Sequence, residues 1–175
     1  MAVLAGVRSV EHGAMATRET LRLIEEKGIF LVPTQYAGVR SARFCDSEEF
    51  WVSAGNNPYE KMKMRMYKDV LIENAKNLAE SNVKIAFGTD LGILSYSING
   101  AAEFSEMVTN GISPVRALRA ATSVAAELLM KDDIGTLAPG KAADIIAVPG
   151  NPFVDISVME QVSFVMKAGI VYKPA

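Results

Sequence analysis

Val83-Lys84-Ile85-Ala86-Phe87-Gly88-Thr89-Asp90 begins as a short, mostly apolar run of strand type, stops at a glycine, and delivers a carboxylate two residues later. Parallel α/β architectures present chemically active side chains at the C-terminal ends of their strands, so Asp90 is the first candidate for chemistry. An aspartate after a strand also caps turns and helices, and taken alone that structural role is the commoner one. The surrounding chain decides between the two. Upstream, Pro58 to about Asn82 reads as a helix, with Tyr67, Val70, Leu71, Asn74, Ala75 and Leu78 on one face. Met62, Met64 and Met66 lie among lysines and an arginine in this helix and are expected to pack at the core edge, a substrate or partner surface being the alternative. Downstream, a loop over Leu91–Ser97 leads to a helix from about Gly100 to Asn110, stopped by Gly111. Ser113-Pro114 then starts another, a capping hydroxyl followed by proline at the first helical position. Its expected buried side is Val115, Leu118, Ala121, Thr122, Ala125 and Leu129, and it ends near Met130.

The same grammar precedes the opening stretch. Gly6 to Val10 reads as a strand ended by Glu11-His12-Gly13, Thr17 caps a helix running to Lys27, Gly28 stops it, and Ile29–Val32 is a buried strand ending at Pro33-Thr34. Strand, helix and strand with short joins imply a parallel sheet covered by helices. Gln35 to about Asn57 reads as irregular and is too long for an idle connector, so it is expected to form a substrate-facing loop carrying Tyr36, Arg40, Arg43 and Trp51. From Lys131 the pattern changes. Pro139-Gly140 suits the centre of a type II turn, Ala143–Val148 is a strand, and Val162–Met166 with Ile170–Tyr172 forms a hairpin around Lys167-Ala168-Gly169. The chain therefore divides into an α/β part, residues 1–130, and a small β layer, residues 131–175.

Composition narrows the partners. The 175 residues are 50% hydrophobic with 18 basic and 20 acidic side chains, so a net charge of -2 gives no electrostatic footprint for nucleic acid. No run approaches the ~18 apolar residues of a membrane span, and the apolar opening Met1–Val7 lacks the basic flank of a signal peptide. Cys45 is the only cysteine, which excludes an intramolecular disulfide and a cysteine metal cluster and is compatible with a cytosolic setting.

His12 and Asp90 stand at comparable places, each just past a strand. Imidazole and carboxylate both ligate zinc and similar divalent ions, and ligands from different strand ends converge at one mouth of such a fold. A lone histidine is also commonly a hydrogen-bonded structural group, and two ligands fall short of the three that catalytic zinc takes from a protein.

Gly6-Val7-Arg8-Ser9-Val10-Glu11-His12-Gly13, Phe30–Thr34, Gly88-Thr89-Asp90, Ser113–Thr122 and Ile134–Asp144, the last followed by Asn151-Pro152, occur in an order and spacing that resembles the amidohydrolase superfamily, nearest its imidazolonepropionase-like and Xaa-Pro dipeptidase (prolidase) branch. The likeness runs over nearly the whole chain. It implies a partial (β/α)8 TIM-type barrel, about the last three strand-helix units, with a small C-terminal β segment of a composite sandwich domain. It further implies that His12 matches the strand-six metal ligand and Asp90 the strand-eight aspartate, which binds metal and moves the proton of the attacking water. The cofactor implied is a divalent metal, zinc being the expected ion, and the reaction is hydrolysis of a C–N bond in a small-molecule amide, a dipeptide or a cyclic amide.

The departures define the alternative. The superfamily's His-x-His and strand-five histidine have no counterparts, because His12 is the only histidine, and its bridging lysine on strand four is not matched either. The histidine that close relatives carry near Tyr96–Phe104 is also absent. The resemblance thus implies a C-terminal portion, beginning just before strand six and inactive alone. The other reading is a non-catalytic fragment or interaction module that persists by self-association or by pairing with an N-terminal half, since a short sheet leaves edges that invite pairing.

Overall fold

The computed structural model describes residues 1–53, 55, 57–91 and 99–174. Most of the 91–97 loop, Tyr96 included, lies outside the described residues. Among the described residues the chain is a mixed α/β structure with two three-stranded sheets. The first is parallel, in the order β1-β2-β3, from β1 (Ser9–Glu11), β2 (Phe30–Val32) and β3 (Lys84–Ile85), with Ser9 opposite Phe30 and Phe30 opposite Lys84. Every residue of β2 is buried, as expected of a central strand covered on both faces.

Helix α1 (Arg18–Glu26) returns the chain from β1 to β2, and both its ends are written in the sequence. Thr17 accepts a hydrogen bond from the Thr20 N–H, and Glu19 sits in the first turn. At the other end Gly28 adopts φ +64, its N–H donating to Glu25 O while the Ile29 N–H donates to Ile24 O. That is a Schellman motif, and its apolar pair, Ile24 and Ile29, is buried in the main core.

Residues 35–53 correct the sequence reading. They are largely helical: a wide π turn (Tyr36–Arg40) runs into α2 (Ser41–Arg43), and α3 (Glu48–Ser53) follows. The reason is a local aromatic core rather than a long-period apolar stripe. Phe50 stacks on Phe44 with 5.8 Å between ring centroids and meets Trp51 edge-on at 5.2 Å. The Arg40 guanidinium lies over Tyr36, Phe44 and Phe50. Trp51 is 1% exposed and donates its indole N–H to Cys45 O at 2.9 Å, so it faces inward and not toward a substrate.

Helix α4 (Pro58–Glu80) starts where proline at the first position and Asn57, accepting from the Tyr59 and Glu60 N–H groups, place it. It buries Leu71, Ala75 and Leu78, but Val70 is exposed, and Met62 and Met66 are exposed rather than packed at the core edge. Helix α5 (Ala102–Thr109) agrees with its expected limits.

The helix expected to run from Ser113 to Met130 is broken at Thr122 into α6 (Pro114–Ala121) and α7 (Ser123–Leu128). Its buried residues are Ala117, Ala120 and Ala126, whereas Val115 and Leu129 are exposed, so the expected face is rotated. Two contacts account for the break. The Phe87 N–H beyond β3 takes the Ala120 carbonyl at 3.0 Å, and Gly135 packs so closely that a Cβ there would lie 2.8 Å from Thr122 O. Arg116 on α6 donates to the carbonyls of Leu78, Ala79 and Val83, clamping the end of α4 and the start of β3.

The second sheet is antiparallel, β4 (Ile145–Ala147), β5 (Phe164–Lys167) and β6 (Ile170–Lys173), in that order. Ala168 and Gly169 both have positive φ, +50 and +81, which suits a type I′ hairpin turn. The Lys141 N–H donates to Ala138 O across Pro139-Gly140, with Gly140 at φ +84, as the type II reading requires. A 3-10 turn, Ile156–Glu160, joins the two parts by burying Ile156 and Met159 in the main core beside Phe104 and Met107.

Candidate active site

The three strands of the parallel sheet end in residues with left-handed backbone: His12 at φ +63, Thr34 at +45 and Asp90 at +51. The His12 N–H is held by Val32 O at 2.8 Å, which turns the imidazole across the end of β2. There Nδ1 lies 2.7 Å from Thr34 Oγ1, and Nε2 lies 3.8 Å from Asp90 Oδ2. The two candidate residues named from the sequence are thus brought together.

Glycines set this approach. A Cβ on Gly88 would lie 2.4 Å from Val32 Cγ1, so only glycine lets the chain beyond β3 run against β2 on its way to Asp90. Gly88→Ala is expected to cost about 1–3 kcal/mol through overpacking against a β-branched neighbour. A denaturant midpoint unchanged from wild type would refute that tight approach.

The His12 and Asp90 side chains are 54% and 49% exposed, so their attraction is worth about 0–1 kcal/mol. Stability alone gives little reason for the pair. A cleft of about 520 Å³ opens beside them, floored by Leu21, Leu31 and Leu78 and walled by Glu60, Lys63, Met64 and Tyr67 of α4. Lys63 and Tyr67 were not singled out from the sequence as site residues, because the helical pattern that places Tyr67 on the inner face says nothing about a cavity there.

Tyr36, Arg40, Arg43 and Trp51, expected in or beside substrate-facing loops, do not line this cleft. Arg43 is engaged by other side chains. It pairs with Glu106 at 2.7 Å and donates to Asn110 Oδ1 at 2.6 Å. Asn110 also donates to Gln35 Oε1, and the buried Glu103 accepts the N–H groups of Gln35 and Tyr36 at 2.7 and 2.8 Å. Burial pushes the Glu103 carboxyl up to about 8 against the pull of those two N–H donors, with the neighbouring Glu106 charge adding to the rise. Glu106 is raised by burial too, opposed chiefly by Arg43.

His12 and Asp90 supply one nitrogen and one oxygen donor of the kinds zinc takes. Adjacent corners of a tetrahedron with bonds of about 2.0–2.1 Å are roughly 3.3–3.4 Å apart, so the 3.8 Å separation needs only a small closure. As two ligands the pair fits; as a whole site it does not, since among the described residues no cluster of three or more His, Cys, Asp or Glu could hold an ion.

The Amidohydrolase family profile matches residues 1–172, and the chain belongs to that family, whose members generally use divalent metals. Among curated proteins it is similar to ochratoxinase of Aspergillus niger, 30% identical over 98% of this chain and 35% of that protein. Among solved structures, a Xaa-Pro dipeptidase with methionine bound in its active site superposes with TM-score 0.84 at 37% identity, over 98% of this chain and 41% of that one. A prolidase complexed with N-methylphosphonate-L-proline gives 0.81 at 32% identity, over 99% of this chain and 42% of that one. The chain therefore spans between about a third and about two fifths of the length of these relatives. The prolidase-like resemblance read from the motifs is borne out.

Among the described residues no helix is long and apolar enough to cross a membrane.

Proposed function

We propose that this chain is the part of a metal-dependent amidohydrolase that carries His12 as a metal ligand and Asp90 as ligand and catalytic base. Residues 1–130 correspond to the last three strand-helix units of a (β/α)8 barrel, and residues 131–175 to part of a small sandwich domain. The observation that carries the reading is the meeting of His12 and Asp90, from the ends of two strands, at 3.8 Å beside an open cleft. His12 and Asp90 would hold a divalent ion, zinc being the expected one, and when bound it would lower the pKa of its water toward ~7. Asp90, with its carboxylate half exposed to the cleft, accepts the proton of the attacking water and returns it to the leaving amine. Water adds to the amide carbon, the C–N bond breaks, and the amine departs with that proton. The cleft's apolar floor and Lys63 suit a small amide or dipeptide.

The alternative, a non-catalytic module that acts by association, is favoured by two observations. The ligand set is incomplete among the described residues, and β1 and β3 are outer strands of a three-stranded parallel sheet. Parallel strands are ordinarily covered and flanked, so these edges favour self-association or pairing with an N-terminal half. One experiment separates the readings. Co-expression with the N-terminal part of a prolidase-like relative should give dipeptide hydrolysis that falls at least about a hundredfold with Asp90→Asn. Assembly without Asp90-dependent turnover would favour the module. The isolated chain is expected to bind zinc only loosely; stoichiometric zinc surviving dialysis, by metal analysis, would contradict the two-ligand assignment.

A further inference from the structure

Thr34 is the outlier of the three left-handed residues. Histidine and aspartate visit that region with modest penalty, but a β-branched residue there is strained. The strain is held from two sides: β2 accepts the His12 N–H at Val32 O, and the next two N–H groups, of Gln35 and Tyr36, end on the buried Glu103 carboxyl. What this conformation achieves is a side-chain contact. Thr34, 6% exposed, puts Oγ1 2.7 Å from His12 Nδ1, leaving Nε2 aimed at Asp90.

We propose that Thr34 is the positioning residue of this site: its hydroxyl holds the His12 ring through Nδ1 and, by acting as donor or acceptor, supports either imidazole tautomer. A hydroxyl is the group suited to this, because it offers one O–H and two lone pairs, whereas a carbonyl could only accept. In the metal-free protein the Thr34 O–H donates to Nδ1, and the Nε2–H faces the Asp90 carboxylate. For Nε2 to present a lone pair to a divalent cation the proton must sit on Nδ1, and the same hydroxyl then accepts it. A metal-ligating histidine is ordinarily oriented by such a bond from its other nitrogen. The cation half of this inference rests on the function proposed above; the positioning half does not.

His12 is the only histidine, so its ring can be read directly in protein labelled with 15N-histidine. Two-bond 1H–15N spectra report which ring nitrogen carries the proton. Three proteins are compared, wild type, Thr34→Ser and Thr34→Val, each without metal and with zinc alone. Valine is also β-branched, so Thr34→Val keeps the backbone strain and removes only the hydroxyl; circular dichroism checks that it folds. The expected result is a dominant Nε2–H form in metal-free wild type and Thr34→Ser, and a mixed population in Thr34→Val. Zinc should move the wild-type proton to Nδ1, and Thr34→Val should bind zinc about 10–100-fold more weakly, with serine restoring the affinity. A folded Thr34→Val whose metal-free spectrum equals wild type overturns the proposal. If zinc shifts none of the spectra while Thr34→Val still scrambles the tautomer, Thr34 stands as the positioning residue and the metal-ligand role of His12 falls.

Discussion

Glu103→Ala is expected to lower the unfolding free energy by roughly 2–6 kcal/mol. The figure follows from the two N–H groups of Gln35 and Tyr36, which Glu103 accepts at 2.7 and 2.8 Å. Gln35 is 1% exposed, so water does not readily replace the carboxyl, and each buried donor left without a partner costs about 1–3 kcal/mol. Glu103 also sets a pH dependence of defined sign. Its carboxyl is raised to about 8 in the folded protein, so between about pH 4.5 and 8 the unfolded chain has released a proton that the folded one retains. Stability is therefore greatest below the unfolded carboxyl's pKa and falls as pH rises through that window, by up to about 1.4 kcal/mol per pH unit for one proton. Glu106, also raised, adds in the same direction. Urea midpoints measured across the window should decline in wild type and be flatter in Glu103→Gln, which keeps an acceptor but does not titrate. A wild-type midpoint that rises with pH would sink the assignment.

Trp51→Ala is expected to cost about 3–5 kcal/mol, the range for emptying a fully packed aromatic site. The side chain is 1% exposed, packs edge-on against Phe50 and donates to Cys45 O. Loss should be seen as a drop in the circular-dichroism melting midpoint by many degrees. The contrasting outcome, a stable variant with altered ligand preference, would restore Trp51 to the substrate-facing role that its place in the sequence suggests.

Local chemistry made much of the fold legible. Thr17, Gly28, Asn57-Pro58 and Ser113-Pro114 each mark a helix end through a side-chain acceptor, a left-handed residue or a fixed proline φ, and the helices begin or end there. The Lys167–Gly169 hairpin was legible for the same reason. Residues 35–57 were not, because Phe44, Phe50 and Trp51 pack on one another around a cation rather than along one helix face. Nor was the break at Thr122, which depends on Phe87 and Gly135 arriving from other parts of the chain. At the site, strand-end position singled out His12 and Asp90. Thr34 occupies the same position on the intervening strand and could have been chosen by that criterion; a threonine gives no chemical signal of its own. Glu103 had no such signal, since its partners are backbone amides 67 and 68 residues away.

The left-handed turns at the three strand ends also restrict which replacements can be interpreted. Asparagine tolerates that backbone region at least as well as aspartate or histidine, whereas glutamate, glutamine and alanine are disfavoured there. At positions 12 and 90 a change to asparagine therefore alters the chemistry while sparing the main chain. Longer or featureless substitutes alter both together, and a loss of activity in them would carry two causes in one measurement. The mutational alphabet of this site is short, and it is the backbone that shortens it.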